Sequence, residues 1–135
     1  MIPIYSPLLL KYKKSAINAI ESEWISNHGI YIEKAENKLK EVLNSKYVIL
    51  MSNGTVATHC LFKSLKFKYP NINKIYVPNN VYVAAWNCAL MEYTIENLEV
   101  CPIDQETWNI CENEEFILSL EKNSALMIVH NLGNI

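Results

Sequence analysis

The sequence predicts an α/β domain built on a mostly parallel sheet with flanking helices. Short apolar runs alternate with amphipathic stretches of about 10–13 residues, the pattern of strands joined by right-handed helical crossovers. Small polar turns follow the apolar runs, where a strand hands over to a helix. The 135 residues suit one compact domain and not two, and half of them are apolar with 19% charged, enough for a real core.

The first 45 residues read as a helical segment. Tyr12, Ala16, Ile20 and Trp24 fall four apart and make one apolar stripe. A break follows at Ser26-Asn27-His28-Gly29, and a second helix then places Ile32, Ala35, Leu39, Val42 and Leu43 on one face. Residues 46–135 read as the N-terminal portion of the α/β domain. Tyr47–Met51 is wholly apolar, as expected of a strand buried on both sides. Thr55–Phe67 carries Ala57, Cys60, Leu61, Ser64 and Leu65 at helical spacing. A strand is expected over Lys74–Val77, a helix over Val81–Glu92 and a strand over Leu98–Ile103. Asn113 reads as the cap of a helix running to Lys122, and Ala125–His130 as a further buried strand. The chain stops at Gly133-Asn134-Ile135, just after that strand, with no returning helix to cover it, so the domain is expected to be incomplete at its C-terminus.

Charge excludes some classes. Lys plus Arg number 12 against 14 Asp plus Glu, net −2, with no basic cluster, so neither nucleic acid nor a membrane surface is an expected partner. Met1-Ile2-Pro3-Ile4-Tyr5 lacks the basic start and apolar run of a signal peptide, and no stretch approaches the roughly 18 apolar residues of a membrane span. Cys60, Cys88, Cys101 and Cys111 have no CxxC spacing; three of them lie in apolar stretches and read as small buried hydrophobes, in a reducing, cytoplasmic compartment. His59-Cys60 is not expected to bind a metal, because neighbours on a helix diverge by about 100° and no second ligand pair follows.

Three segments carry candidate chemistry. Met51-Ser52-Asn53-Gly54-Thr55-Val56-Ala57 is a small polar turn opening a helix, whose first N–H groups lack internal partners and carry partial positive charge. A phosphate dianion satisfies both; Gly54 permits close approach, and Ser52 and Thr55 add hydroxyls. No lysine follows in P-loop fashion and there is no GxGxxG. The same residues also read as a plain Asn-Gly turn capped by Thr55 or Ser52. Pro78-Asn79-Asn80-Val81-Tyr82-Val83-Ala84-Ala85-Trp86 follows the next strand and opens on the same carboxyl edge, where ligands of open α/β folds bind. Tyr82 is the ring best placed to lie on a planar heterocycle, although Tyr82 and Trp86 four apart are also compatible with core packing. His130, at the end of the last strand, is either a crevice-facing hydrogen-bond partner or acid/base, or a strand-end residue bonded to backbone. Asp104 and Thr107 read as turn residues that bond their own backbone.

Together these segments resemble the DegT/DnrJ/EryC1/StrS family of sugar aminotransferases, which have the fold type I architecture of pyridoxal-phosphate enzymes. The resemblance begins at Ile2-Pro3 and includes Trp24-Ile25-Ser26-Asn27-His28-Gly29, similar to the family's Trp-x-Ser…Gly loop. It continues through Ser52-Asn53-Gly54-Thr55…Thr58-His59-Cys60-Leu61, Val77-Pro78…Tyr82-Val83-Ala84, Asp104…Thr107-Trp108-Asn109-Ile110 and Ile128-Val129-His130…Gly133. Trp108 with Trp24-Ile25-Ser26 leans toward perosamine- and viosamine-forming members. The chain departs from the family pattern at Ser52-Asn53, at the connection Lys68–Asn73 and at Cys101-Pro102.

The resemblance implies the large-domain portion of a fold type I transferase with pyridoxal 5'-phosphate as cofactor. Gly54 and Thr55 would hold the phosphate, Tyr82 would stack on the pyridine ring, His130 would complete the cofactor site, and Ser26, Asn27, His28 and Gly29 would form the substrate loop. No metal is implied. The implied reaction is ping-pong transfer of an amino group from L-glutamate to a nucleotide-linked 4-keto-6-deoxy sugar, in amino-sugar and glycan biosynthesis, by a homodimer. The Schiff-base lysine and the acidic partner of the pyridine nitrogen have no counterpart among these residues, so the 135 residues alone are expected to be inactive. Two other readings stand beside this one: a non-catalytic remnant serving as a binding or dimerisation module, and an unrelated α/β nucleotide-binding domain such as half of a glycosyltransferase.

Overall fold

The computed structural model describes residues 9–24, 26, 28–111 and 113–133. The expectations at Ile2-Pro3, Ile25 and Asn27 lie outside the described residues. The chain divides into two compact units, Met1–Leu50 and Met51–Ile135.

In the first unit a short 3-10 turn, Leu9–Tyr12, leads into α1 (Lys13–Glu21), and α2 spans Ile30–Val42. Tyr12 sits at the N-cap of α1 and Trp24 lies past its end, so the expected stripe extends beyond the helix at both ends. On α2 the expected face is the shielded one: Ile32, Ala35 and Leu39 are half-buried, while Val42 and Leu43 are exposed. The helix begins at Gly29, whose φ of +137° and ψ of 160° are open only to glycine.

Tyr47–Met51 does not form the buried strand expected of it. Among the described residues the segment has no ladder partner, Tyr47 and Ile49 are exposed, and the Leu50 amide donates instead to Glu36 Oε1 at 3.1 Å. Apolarity marks a run that gains by burial; only a neighbouring strand edge makes it a strand.

In the second unit α3 (Gly54–Lys68) leads through a short turn to β1 (Lys74–Pro78), α4 (Val83–Leu90), β2 (Leu98–Cys101), α5 (Glu114–Ser119) and β3 (Ser124–Leu126). The sheet has order β2-β1-β3 and both pairings are parallel. The central strand is covered on both faces, as its alternation dictates. Ile75 and Val77 pack with Phe62 of α3 and Cys88 and Ala89 of α4, while Tyr76 on the opposite face meets Cys101, Ile110 and Phe116 of α5. The face of α3 that packs is one strip round from the expected one: Phe62 is 2% exposed, whereas Leu61 is open to solvent.

Two strands end sooner than expected, β3 because of a proline in its neighbour. Met127 N–H still donates to Tyr76 O at 2.9 Å, but the next ladder bond would come from the amide of residue 78, and Pro78 has none. Beyond Leu126, β3 therefore leaves the sheet, and as an edge strand it is half-buried where a fully buried one was expected. β2 also ends sooner than expected, at Cys101, and beyond Pro102 the residue Ile103 pairs antiparallel with Ile110 across a hairpin. Asn113 caps α5 as expected, accepting from Phe116 N–H at 2.8 Å. That helix stops at Ser119, before Lys122, because Leu120 turns extended toward the core and the Glu121 amide donates to Tyr76 Oη at 3.2 Å. Two cysteines, Cys88 and Cys101, are buried; Cys60 and Cys111 are partly so.

Candidate active site

The carboxyl edge of the sheet is assembled from three loops and one helix start. Since α3 reaches β1 through only a short turn and runs back along the sheet, its first residues lie beside the carboxyl end of β1. That first turn is partly unpaired. The Asn53 side chain takes the Val56 amide at 2.9 Å and the Asn53 carbonyl takes Ala57 N–H at 3.1 Å. The amides of Gly54 and Thr55 have no partner among the described residues. Asn53 is thus the cap, and not Ser52 or Thr55. The side chain that closes the helix leaves free the two N–H groups nearest its mouth. A Cβ built on Gly54 would meet nothing within 4 Å, so the space beside its Cα is open.

Tyr82 stands at the same edge. The helices α3 and α4 run side by side in register: Cys88 Sγ donates to Thr55 O at 3.3 Å, and His59 Nε2 bonds Glu92 Oε1 at 2.8 Å, the same offset of 33 residues in each case. Lys66 Nζ also donates to the Glu92 carbonyl. Cys88 is therefore level with Thr55. Tyr82 precedes Cys88 by six residues, which places it roughly 9 Å further along the axis, beyond the opening of α3. Its backbone caps α4 without a side-chain bond and its ring is 80% exposed. Trp86 parts from it and packs on the core with Leu65 and Ile72. The two aromatics four apart serve two different purposes.

His130 follows β3 at the same carboxyl end, exposed, with its carbonyl accepting from Gly133 N–H at 3.3 Å. Ser26, His28 and Gly29 belong to the other unit. There the Ser26 hydroxyl donates to His28 O at 3.0 Å and accepts from His28 N–H at 3.1 Å, and His28 and Gly29 line an open cleft with Trp24, Glu33 and Glu36. Asn27 lies outside the described residues. His59 of the His59-Cys60 pair is occupied by Glu92, and among the described residues no cluster of three or more metal-binding side chains gathers. Among the same residues no helix is long and apolar enough to cross a membrane.

Residue-by-residue reading missed one part of this edge. Trp108 closes the hairpin after β2, and its carbonyl accepts the side-chain amides of Asn80 at 2.8 Å and Asn131 at 2.7 Å. Nothing in the local pattern marks the two asparagines as partners of one atom, since they are brought together only by the order of the strands.

The second unit is thus an open parallel α/β domain whose carboxyl edge holds the Gly54 and Thr55 amides, unpaired among the described residues, and the exposed ring of Tyr82. Residues 11–135 match the DegT/DnrJ/EryC1/StrS aminotransferase family, and the chain belongs to that family, whose cofactor is pyridoxal phosphate. It is 34% identical over 134 residues to the GDP-perosamine synthase of Escherichia coli O157:H7, covering 98% of this chain and 36% of that protein. To the GDP-perosamine synthase of Vibrio cholerae it is 32% identical over 142 residues, covering 98% and 35%. The chain thus spans about a third of the length of the curated relatives it matches. Two solved structures share the fold. One is a GDP-4-keto-6-deoxymannose-3-dehydratase with a trapped PLP-glutamate geminal diamine, at TM-score 0.70 and 22% identity, covering 91% of this chain and 32% of that one. The other is the E. coli GDP-4-keto-6-deoxy-D-mannose-3-dehydratase with bound hydrated PLP, at TM-score 0.65 and 23% identity, covering 90% and 31%.

Proposed function

We propose that this chain forms the N-terminal part of the cofactor-binding domain of a pyridoxal-phosphate aminotransferase acting on a nucleotide-linked 4-keto-6-deoxy sugar. The observation that carries the reading is the pair of unpartnered amides at Gly54 and Thr55, with the free ring of Tyr82 standing beyond them at the same edge. Likeness to two GDP-perosamine synthases supports a GDP-linked sugar as substrate, and family membership supports L-glutamate as donor, a homodimer and a cytoplasmic setting.

The residues fit the cofactor. The Gly54 and Thr55 N–H groups point where the helix dipole already favours a dianion, and the space above Gly54 is open. Tyr82, carried past that opening, offers a flat face to a heterocycle whose phosphate is held below. His130, at the end of β3, is a donor or acceptor toward the same crevice. Ser26, Asn27, His28 and Gly29 are assigned the substrate loop on the resemblance alone. Pyridoxal phosphate supplies, when bound, the electron sink that side chains lack. This chain's contribution is to bind and orient it; the lysine of the covalent step matches no position in these residues, so 1–135 expressed alone are expected not to transaminate a keto-sugar.

The experiment is titration of the full gene product with pyridoxal phosphate, followed by 31P NMR and visible dichroism. Tyr82→Ala is expected to weaken binding by about tenfold, the loss of one ring contact. An unchanged dissociation constant together with an unshifted phosphorus resonance would remove the site from this edge.

A further inference from the structure

Two asparagines converge on one carbonyl. Trp108 sits at φ +61°, a left-handed conformation that a bulky residue adopts only when its surroundings impose it. The hairpin imposes it. Trp108 N–H donates to Asp104 O at 2.9 Å, Asp104 N–H to Asn109 O at 2.9 Å, and Asp104 Oδ1 accepts the amides of Glu106 and Thr107 at 3.0 and 2.8 Å. The outcome is a carbonyl that receives Asn80 Nδ2 from the loop after β1 and Asn131 Nδ2 from the loop after β3. Asn131 adds a second tie, its N–H donating to Asn109 Oδ1 at 3.2 Å. All three loops leaving the carboxyl edge meet there.

Asn80 gains little stability from this arrangement. Its Oδ1 is shut away from solvent with no hydrogen-bond partner among the described residues, a costly way to hold an amide. The Trp108 carbonyl is already satisfied by Asn131, so an apolar side chain at position 80 would leave neither group wanting. What Asn80 does fix is place. Two residues on stands Tyr82, whose ring is free and whose cap position carries no side-chain bond.

We propose that Asn80 is a positioning residue: anchored to the Trp108 carbonyl, it holds the backbone ahead of Tyr82 and so sets where that ring stands. The inference rests on the reading of Tyr82 as the cofactor's platform. Placement of a stacking ring within a fraction of an ångström is what such support supplies, and its loss is read in the ring's environment before it is read in the fold.

The test uses the full gene product, with Asn80→Leu, which removes the anchor and the orphan acceptor together, and Asn80→Asp, which keeps size and shape but turns an acceptor toward the carbonyl. Asn80→Leu is expected to melt at or above the wild-type temperature. In both variants the dichroism induced in bound pyridoxal phosphate is expected to fall at least about twofold, with the cofactor dissociation constant rising about three- to tenfold and kcat falling more than KM for the nucleotide sugar. Should Asn80→Leu fail to fold, Asn80→Asp carries the same expectation. Folded variants with wild-type dichroism and affinity would overturn the inference alone. A wild-type protein giving no dichroism at all would sink the functional reading and this inference with it.

Discussion

Asp104 spends its carboxylate on its own turn. The Thr107 backbone amide, then the Thr107 hydroxyl, then the Glu106 amide stabilise the ionised form, and together they hold the carboxyl below the ordinary aspartate range. A group whose value is lower folded than unfolded adds stability above its unfolded value and loses it as pH falls through the folded one. Asp104→Asn, which still offers an oxygen to the turn, is therefore expected to flatten the acid limb of a stability-against-pH profile measured by urea unfolding. The flattening will be partial, because Glu96 is also held down, by the Thr94 hydroxyl first and its own backbone second. An acid limb as steep as the wild type's would remove Asp104 from that role. The turn chemistry of Asp104 and Thr107 was legible from residue type alone, since the bonds span two or three residues. The left-handed Trp108 was not, because its conformation is fixed by partners across the hairpin.

At the scale of elements, the start of α3 joins a stabilising cap to the amides proposed to hold the cofactor phosphate. Asn53 takes the Val56 amide, and its truncation in Asn53→Ala is expected to cost about 1 kcal/mol in chemical unfolding. A loss near zero would mean that water serves that amide equally well, and that the cap is not what leaves Gly54 and Thr55 open. Helices were the legible elements: α2, α3, α4 and α5 fall where periodicity put them, within a few residues, and the expected cap Asn113 opens α5. Strands were legible by position and misjudged in extent. The ladder bond that Pro78 cannot make decides where β3 ends, and it depends on which residue of one strand faces which of another. Tyr47–Met51 shows the same limit from the other side: an apolar run that reads as a buried strand finds no partner.

Across the whole second unit, the core is centred on β1 and on Phe62, which meets Tyr93 edge-on with ring centroids 6.4 Å apart. Phe62→Ala is expected to cost about 3–5 kcal/mol, a large share of the roughly 5–15 kcal/mol that holds such domains folded. Thermal or urea unfolding measures it, and a loss under about 1 kcal/mol would mean that the α3 packing face is misplaced. The same core sets thiol reactivity. Burial, and then the Glu99 charge, push Cys101 up to about 11, so it stays protonated near neutral pH. Alkylation of the native protein is expected to label Cys60 and Cys111 well before Cys88 and Cys101, as mass spectrometry of timed samples would show.

By itself the sequence determined what depends on near neighbours: the helices, the Asn113 cap of α5, the alternation of strand and helix that makes the sheet parallel, and the turn at Ser52–Thr55 that opens α3. Those follow from backbone sterics and from periods of two and 3.6 residues. Only the tertiary structure decided which face of α3 packs, that α3 and α4 lie in register so that Tyr82 overshoots the helix start, and that Asn80 and Asn131 share one carbonyl. Such contacts join residues tens of positions apart, and their geometry is fixed by strand order and packing, which no local pattern encodes.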